Sequence, residues 1–172
     1  MADEQNMNEQ SMNSGSYDQD SVMIYIDPKV MNSLNDMAEK KQEDLKALIA
    51  SAEDGDLDAQ YRLGRSYFYG EDGAPKDGEK AFEWFAKAAE GDSIAGQYYL
   101  ALCYIRGIGT EKDMVRGAEL LTEAADQDYL PAVCELGLCY ELGHGVEMDK
   151  GRAAELYQEA ADQDYAPAQC NL

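Results

Sequence analysis

The chain has 172 residues, 45% of them hydrophobic, and sets 35 Asp and Glu against 14 Lys and Arg for a formal charge of −21. That is enough apolar material for one domain-sized core, while so acidic a surface repels phosphate backbones and anionic lipid heads and argues against nucleic-acid and membrane partners. No apolar run approaches the roughly 18 residues a spanning helix needs, and the N-terminus lacks the basic and apolar regions of a secretory signal, so the expected address is the cytoplasm.

Residues 1–20 are mostly Asn, Gln, Ser, Asp and Glu and read as a disordered acidic tail. Residues 21–27, SVMIYID, form a short extended apolar segment. A lone strand is not stable by itself, so this segment either covers the first helix pair or competes for an inner face of the fold. Asp27 followed by Pro28 is a helix start, the carboxylate capping free N–H groups and the proline pre-set for the first turn. Val30, Leu34, Met37, Ala38, Leu45, Leu48, Ile49 and Ala52 then recur at spacings of three and four. Residues 28–54 therefore read as one long amphipathic helix, or two collinear ones broken at Lys40, Lys41 and Gln42.

From Gly55 the chain repeats itself. Leu63, Leu100 and Leu136 correspond, as do Tyr67, Tyr104 and Tyr140, then Gly70, Gly107 and Gly143, then Asp77, Asp113 and Asp149. Paired alanines, such as Ala88-Ala89, close each unit, and the period is 36 residues, or 37 where Glu71-Asp72 lengthens one loop. The units are residues 55–91, 92–127 and 128–163, with 164–172 as the start of a truncated fourth.

Each unit has the chemistry of a helix pair. The glycine at 70, 107 and 143 stops the first helix in a left-handed cap, and the aspartate at 77, 113 and 149 caps the second. Gly64, Ala101 and Gly137 share a position where the helices approach too closely for a large side chain. Ala81, Phe82, Phe85, Ala88 and Ala89 make the apolar stripe of the second helix. A helix pair of this size buries its stripe only against neighbours on both sides. The closing residues ADQDYAPAQCNL repeat ADQDYLPAVCEL and stop short of the next glycine, so the chain is expected to be a fragment or an unusual truncation of a longer array. LKALIASAEDG, residues 45–55, matches the second half of a unit, which suits the N-terminal helix to serve as the starting cap.

The pattern A-x-x-x-L-G-x-x-Y-x-x-G-x-G-V…D…A-x-x-x-Y-x-x-A-A, complete over residues 132–161, resembles the Sel-one-like repeat, a branch of the tetratricopeptide superfamily. Three in-phase copies cover about two thirds of the chain, with Ala101 in place of one glycine and Gly117 in place of one alanine. The resemblance implies an all-α, right-handed superhelical solenoid of antiparallel helix pairs. It also implies adaptor or scaffold work rather than catalysis.

The residues themselves offer no rival chemistry. His144, the single histidine, falls between two glycines in an interhelical loop, where the other units have Ile108 and Asp72, and reads as a solvent-exposed loop residue. The four cysteines are two repeat positions used twice, Cys134 with Cys170 and Cys103 with Cys139. Cys134 and Cys139 lie about 7.5 Å apart along one helix on different faces, which suits neither a bridge nor a shared zinc, so all four are expected to be free thiols. No phosphate-cradling glycine loop occurs and no two carboxylates stand out as an acid/base pair, so no catalytic, cofactor-binding or metal-binding residue is assigned.

If the first helices line the concave side, as the resemblance implies, the exposed inner positions are Asp58, Tyr61, Arg65 and Tyr69 in unit one. In unit two they are Tyr98, Leu102, Ile105 and Arg106, and in unit three Cys134, Leu138 and Glu141. Tyrosine and arginine are favoured interface anchors, which singles out Tyr61, Arg65, Tyr69, Tyr98, Leu102, Arg106 and Leu138 as the expected partner-binding set. The expected function is an interaction scaffold that takes a peptide or protein partner on the concave face. The alternative is a non-catalytic repeat region of a larger enzyme or regulatory protein whose chemistry lies beyond residue 172.

Overall fold

The computed structural model describes residues 27–165; the expectations for residues 1–26, for Cys170 and for the opening of a fourth unit after Tyr165 lie outside them. Among the described residues there are seven helices and no strand: α1 (Pro28–Glu53), α2 (Leu57–Tyr69), α3 (Gly78–Glu90), α4 (Ile94–Arg106), α5 (Met114–Ala125), α6 (Leu130–Leu142) and α7 (Lys150–Asp162). The hairpins α2–α3, α4–α5 and α6–α7 stack through α3 on α4 and α5 on α6, and α1 packs on α2. This is the all-α solenoid expected from the repeat.

Local chemistry sets the ends. Asp27 accepts from the Lys29 N–H at 2.8 Å with Pro28 in the first turn, and α1 runs unbroken through Lys40, Lys41 and Gln42. It is one helix, not two. Gly70, Gly107 and Gly143 close α2, α4 and α6 at φ +77°, +68° and +72°, the left-handed cap that a Cβ would strain. Asp77, Asp113 and Asp149 accept from the N–H groups of Lys80, Arg116 and Arg152 at 3.1, 2.9 and 3.0 Å, opening α3, α5 and α7.

The core is a continuous strip along the hairpins, with Leu63, Ala81, Phe85, Ala101, Leu121, Ala124 and Ala132 fully enclosed. The apolar stripe of α1 joins it only in part. Leu45, Leu48, Ile49 and Ala52 pack against the cluster, but Val30, Leu34 and Met37 are 51%, 51% and 56% exposed. α1 has 26 residues and α2 has 13, so the first half of α1 has no helix beside it among the described residues.

Small residues mark the crossings. A Cβ on Gly64 would stand 2.6 Å from the Phe85 ring, and one on Gly137 would stand 2.8 Å from the Tyr157 ring. The second glycine of each loop has another task. Gly73, Gly109 and Gly145 all have positive φ, and a Cβ at Gly73 would stand 3.3 Å from the Lys41 carbonyl, while Cβ atoms at Gly109 and Gly145 would collide with the carbonyls of Gly78 and Met114. Each loop thus lies backbone to backbone on the helix of the unit before. Lys41, Gly78 and Met114 occupy one repeat position, so α1 from Lys41 onward stands where α3 and α5 stand in their units.

Candidate interaction surface

The helices α2, α4 and α6 bring a band of aromatic and charged side chains together across the units. Tyr61 and Tyr69 of α2 lie 5.6 and 6.5 Å from Tyr99 of α4, ring centre to ring centre. Tyr98 meets Tyr129, at the start of α6, at 5.5 Å, and Arg106 meets Glu135 at 3.8 Å. Tyr99 stacks on the buried Phe85 at 5.0 Å and 23°, which ties the band to the core and fixes its rings.

Arg65 sits inside this band. Its guanidinium carbon is 5.9 Å from the Tyr61 ring centre and 5.8 Å from that of Tyr69. Of the five arginines, Arg62, Arg106, Arg116 and Arg152 pair with Asp58, Glu135, Glu119 and Glu155. Arg65 pairs with no carboxylate among the described residues, and its Nε is buried without a hydrogen-bond partner. A cation held between phenol rings and lacking a counter-ion is an open acceptor of negative charge.

Burial pushes the phenols of Tyr98 and Tyr99 above their ordinary range, with Glu135 adding to the first and Tyr69 to the second. Burial also raises the Cys134 thiol to about 11, again with Glu135 adding. Burial therefore favours the neutral forms of the Tyr98 and Tyr99 phenols and of the Cys134 thiol.

The structure sorts the expected positions. Tyr61, Arg65 and Tyr98 are half-buried in the band, and Tyr69, Arg106 and Leu138 are exposed. Leu102 is not a surface position: it is 4% exposed. It lies on α4, the middle one of the three first helices, whereas at the same repeat position Arg65 on α2 is half-buried and Leu138 on α6 is exposed. Cys134 is also buried, lying in the core cluster. Arg106 is not free, since Glu135 occupies it.

Tyr99, Tyr129 and Glu135 belong to the band and were not singled out from sequence. A signal for Tyr129 exists: it stands where Asp56 and Ser93 cap α2 and α4, yet a tyrosine cannot make that cap and makes none here. His144 is partly covered in its loop rather than solvent-exposed. Cys103, Cys134 and Cys139 are buried, unpaired thiols. Among the described residues no group of three or more His, Cys, Asp or Glu side chains is disposed to hold a metal, and no helix is long and apolar enough to cross a membrane.

Comparison with known proteins agrees with this geometry. The Sel1 repeat matches residues 57–93, 94–129 and 130–165. A curated relative, the ERAD-associated E3 ubiquitin-protein ligase component HRD3A of Arabidopsis thaliana, is 33% identical over 70 residues, covering 41% of this chain and 10% of its own length. The chain thus spans about a tenth of that protein.

Among solved structures, a protective antigen of uropathogenic Escherichia coli displaying an SLR fold is 34% identical with a TM-score of 0.64, over 69% of this chain and 25% of the antigen. A Sel1 repeat protein of Oxalobacter formigenes is 32% identical with a TM-score of 0.64, over 69% of this chain and 89% of its own. Cysteine rich protein B of Helicobacter pylori shares the fold at 19% identity and a TM-score of 0.59, over 78% of this chain and 96% of its own. Three consecutive repeats, matched in the same phase as the helix pairs, establish that the chain belongs to the Sel1 repeat family.

Proposed function

We propose that this chain is a non-catalytic interaction scaffold that holds a peptide or protein partner against the band formed by α2, α4 and α6. Sel1 repeats are protein-interaction modules, which supports the general reading. The observation that carries the particular one is Arg65, the arginine that pairs with no carboxylate among the described residues of an acidic chain. Tyr61 and Tyr69 shield it from water on two sides, and a partner carboxylate docking there gains a charge-assisted pair in a partly desolvated site. Exposed Leu138 and Leu142, further along the same set of helices, offer an apolar contact for the rest of an acidic peptide. A reducing, cytoplasmic setting accompanies this reading, supported by three buried thiols that form no bridge.

The test begins with a partner isolated by pull-down and mapped to a binding peptide. Arg65→Ala keeps the helical spectrum and melting behaviour but weakens calorimetric binding of that peptide by about 1 to 3 kcal/mol. Arg106→Ala has the smaller effect, because Glu135 already engages that guanidinium. Undiminished affinity in Arg65→Ala removes this band from the account and moves attention to the loops at Gly73, Gly109 and Gly145.

A further inference from the structure

α1 carries more apolar face than the solenoid covers. At the position where Asp77, Asp113 and Asp149 open the second helices of the three units, α1 has Lys40, and instead of starting there it extends back to Pro28. The extension, residues 28–40, is half of a 26-residue helix. Val30, Leu34 and Met37 lie on the same stripe as Leu45, Leu48 and Ala52, since each step of three or four residues returns to one side of a helix. α2 covers the second group and nothing among the described residues covers the first. Val30, Met31, Leu34 and Met37 are all exposed, as is every residue from 27 to 44. Three large apolar side chains in one row, with Met31 beside them, on a molecule with a charge of −21, form a surface built to be covered.

We propose that this face is the docking surface for residues 21–26, SVMIYI, which lie outside the described residues and lead directly into the cap of α1. Three features of the chain fit that occupant. The stretch is uncharged, and its Val22, Ile24 and Ile26 alternate, so an extended backbone presents all three to one side. Six extended residues reach about 20 Å, and half of α1 is also about 20 Å long, so the strap ends where α2 takes over. Ile26 precedes the Asp27 cap and Met31 is the fourth residue of the helix, the pairing of a hydrophobic staple that fixes the angle at which the chain enters. A tethered segment docks with a high effective concentration and needs only a small contact. Four side chains fall far short of the roughly 20 to 30 residues a side used by a free-standing interface, which disfavours a second copy as the occupant.

Hydrogen exchange on the full chain tests this. Ile24→Asp is expected to speed amide exchange over residues 30–40 by about tenfold, with α2 to α6 unchanged, and Leu34→Asp to reproduce that loss with no further loss in the double variant. Met23→Asp, on the other side of the alternation, is expected to leave exchange unaltered. The proposal is overturned if Ile24→Asp has no effect on residues 30–40, or if Met23→Asp acts as strongly as Ile24→Asp. It is equally overturned if protection of those residues in the unaltered chain is lost on dilution, which would assign the face to a second copy.

Discussion

Units one and three cross their helices differently from unit two. In the outer units a glycine faces an aromatic ring, Gly64 on Phe85 and Gly137 on Tyr157. In unit two the glycine is replaced by Ala101 and the ring by Leu121, while a new glycine, Gly117, admits Ile105 of α4 against the opposite helix. The two exchanges of glycine and alanine in unit two thus both lie where α4 meets α5. What recurs from unit to unit is the combined volume at the crossing, not the residue at either side, as expected of an interior packed without spare room.

The largest effect should come from emptying one crossing. Phe85→Ala removes a fully buried ring that also supports Tyr99, and should cost about 3 to 5 kcal/mol in chemical denaturation. Overfilling the same crossing costs less: Gly64→Ala places a methyl against the ring and should destabilise by about 1 to 3 kcal/mol. The sharper form adds Phe85→Leu to Gly64→Ala, which copies unit two into unit one. The double variant should be more stable than the sum of the single losses implies. Simple additivity of the two would show that the volumes are not coupled.

Next in size is a feature all three units share. Asp113→Ala leaves the Arg116 N–H without its acceptor and should cost about 1 kcal/mol, measured as a lower melting temperature. An equal loss from Asp77→Ala would confirm that caps, unlike crossings, do not depend on the unit.

The last effect, confined to alkaline conditions, is a dependence on pH. Burial raises the Cys103 thiol from 9.0 to about 12, and Cys134 and Cys139 to about 11. The native state keeps protons that the unfolded chain releases, so stability is complete below about pH 9 and falls as pH rises towards 11 and 12. Denaturation midpoints below and above pH 9 measure the slope, and Cys103→Ala should flatten it.

The parts of this molecule legible in the sequence are those whose causes act within a few residues. Asp113 reaches an N–H three residues away and Gly107 closes a turn begun four residues earlier, so both tasks could be assigned from spacing alone. Leu102 was misplaced because its burial is set by how α4 packs among its neighbouring helices, which the spacing within one helix does not report. The stripe of α1 was legible as a stripe, but periodicity reports which side is apolar and not how far a neighbouring helix covers it. Arg65 was found by type, but its lack of a counter-ion was not visible, since four other arginines find acids at distances only the fold sets. A positive φ at Asp92, Asp128 and Asp164 also went unread, although they align with Gly55 in the repeat.

The backbone contact made by Gly109 and Gly145 has a consequence for how such an array can change. The joint between units uses a glycine on one side and a main-chain carbonyl on the other, so it asks almost nothing of the neighbour's side chains. In unit one the additional residue falls between Gly70 and Gly73, where Asp72 is held by Ser66 at 2.9 Å, and the distance in sequence from the docking glycine to the capping aspartate is the same in all three units. Loop growth thus falls before the docking glycine and leaves the spacing after it unchanged. At this contact the units are alike, so duplicating or deleting one leaves the loop joint itself intact, and only side-chain contacts such as Tyr61 with Tyr99 and Arg106 with Glu135 have to be matched anew.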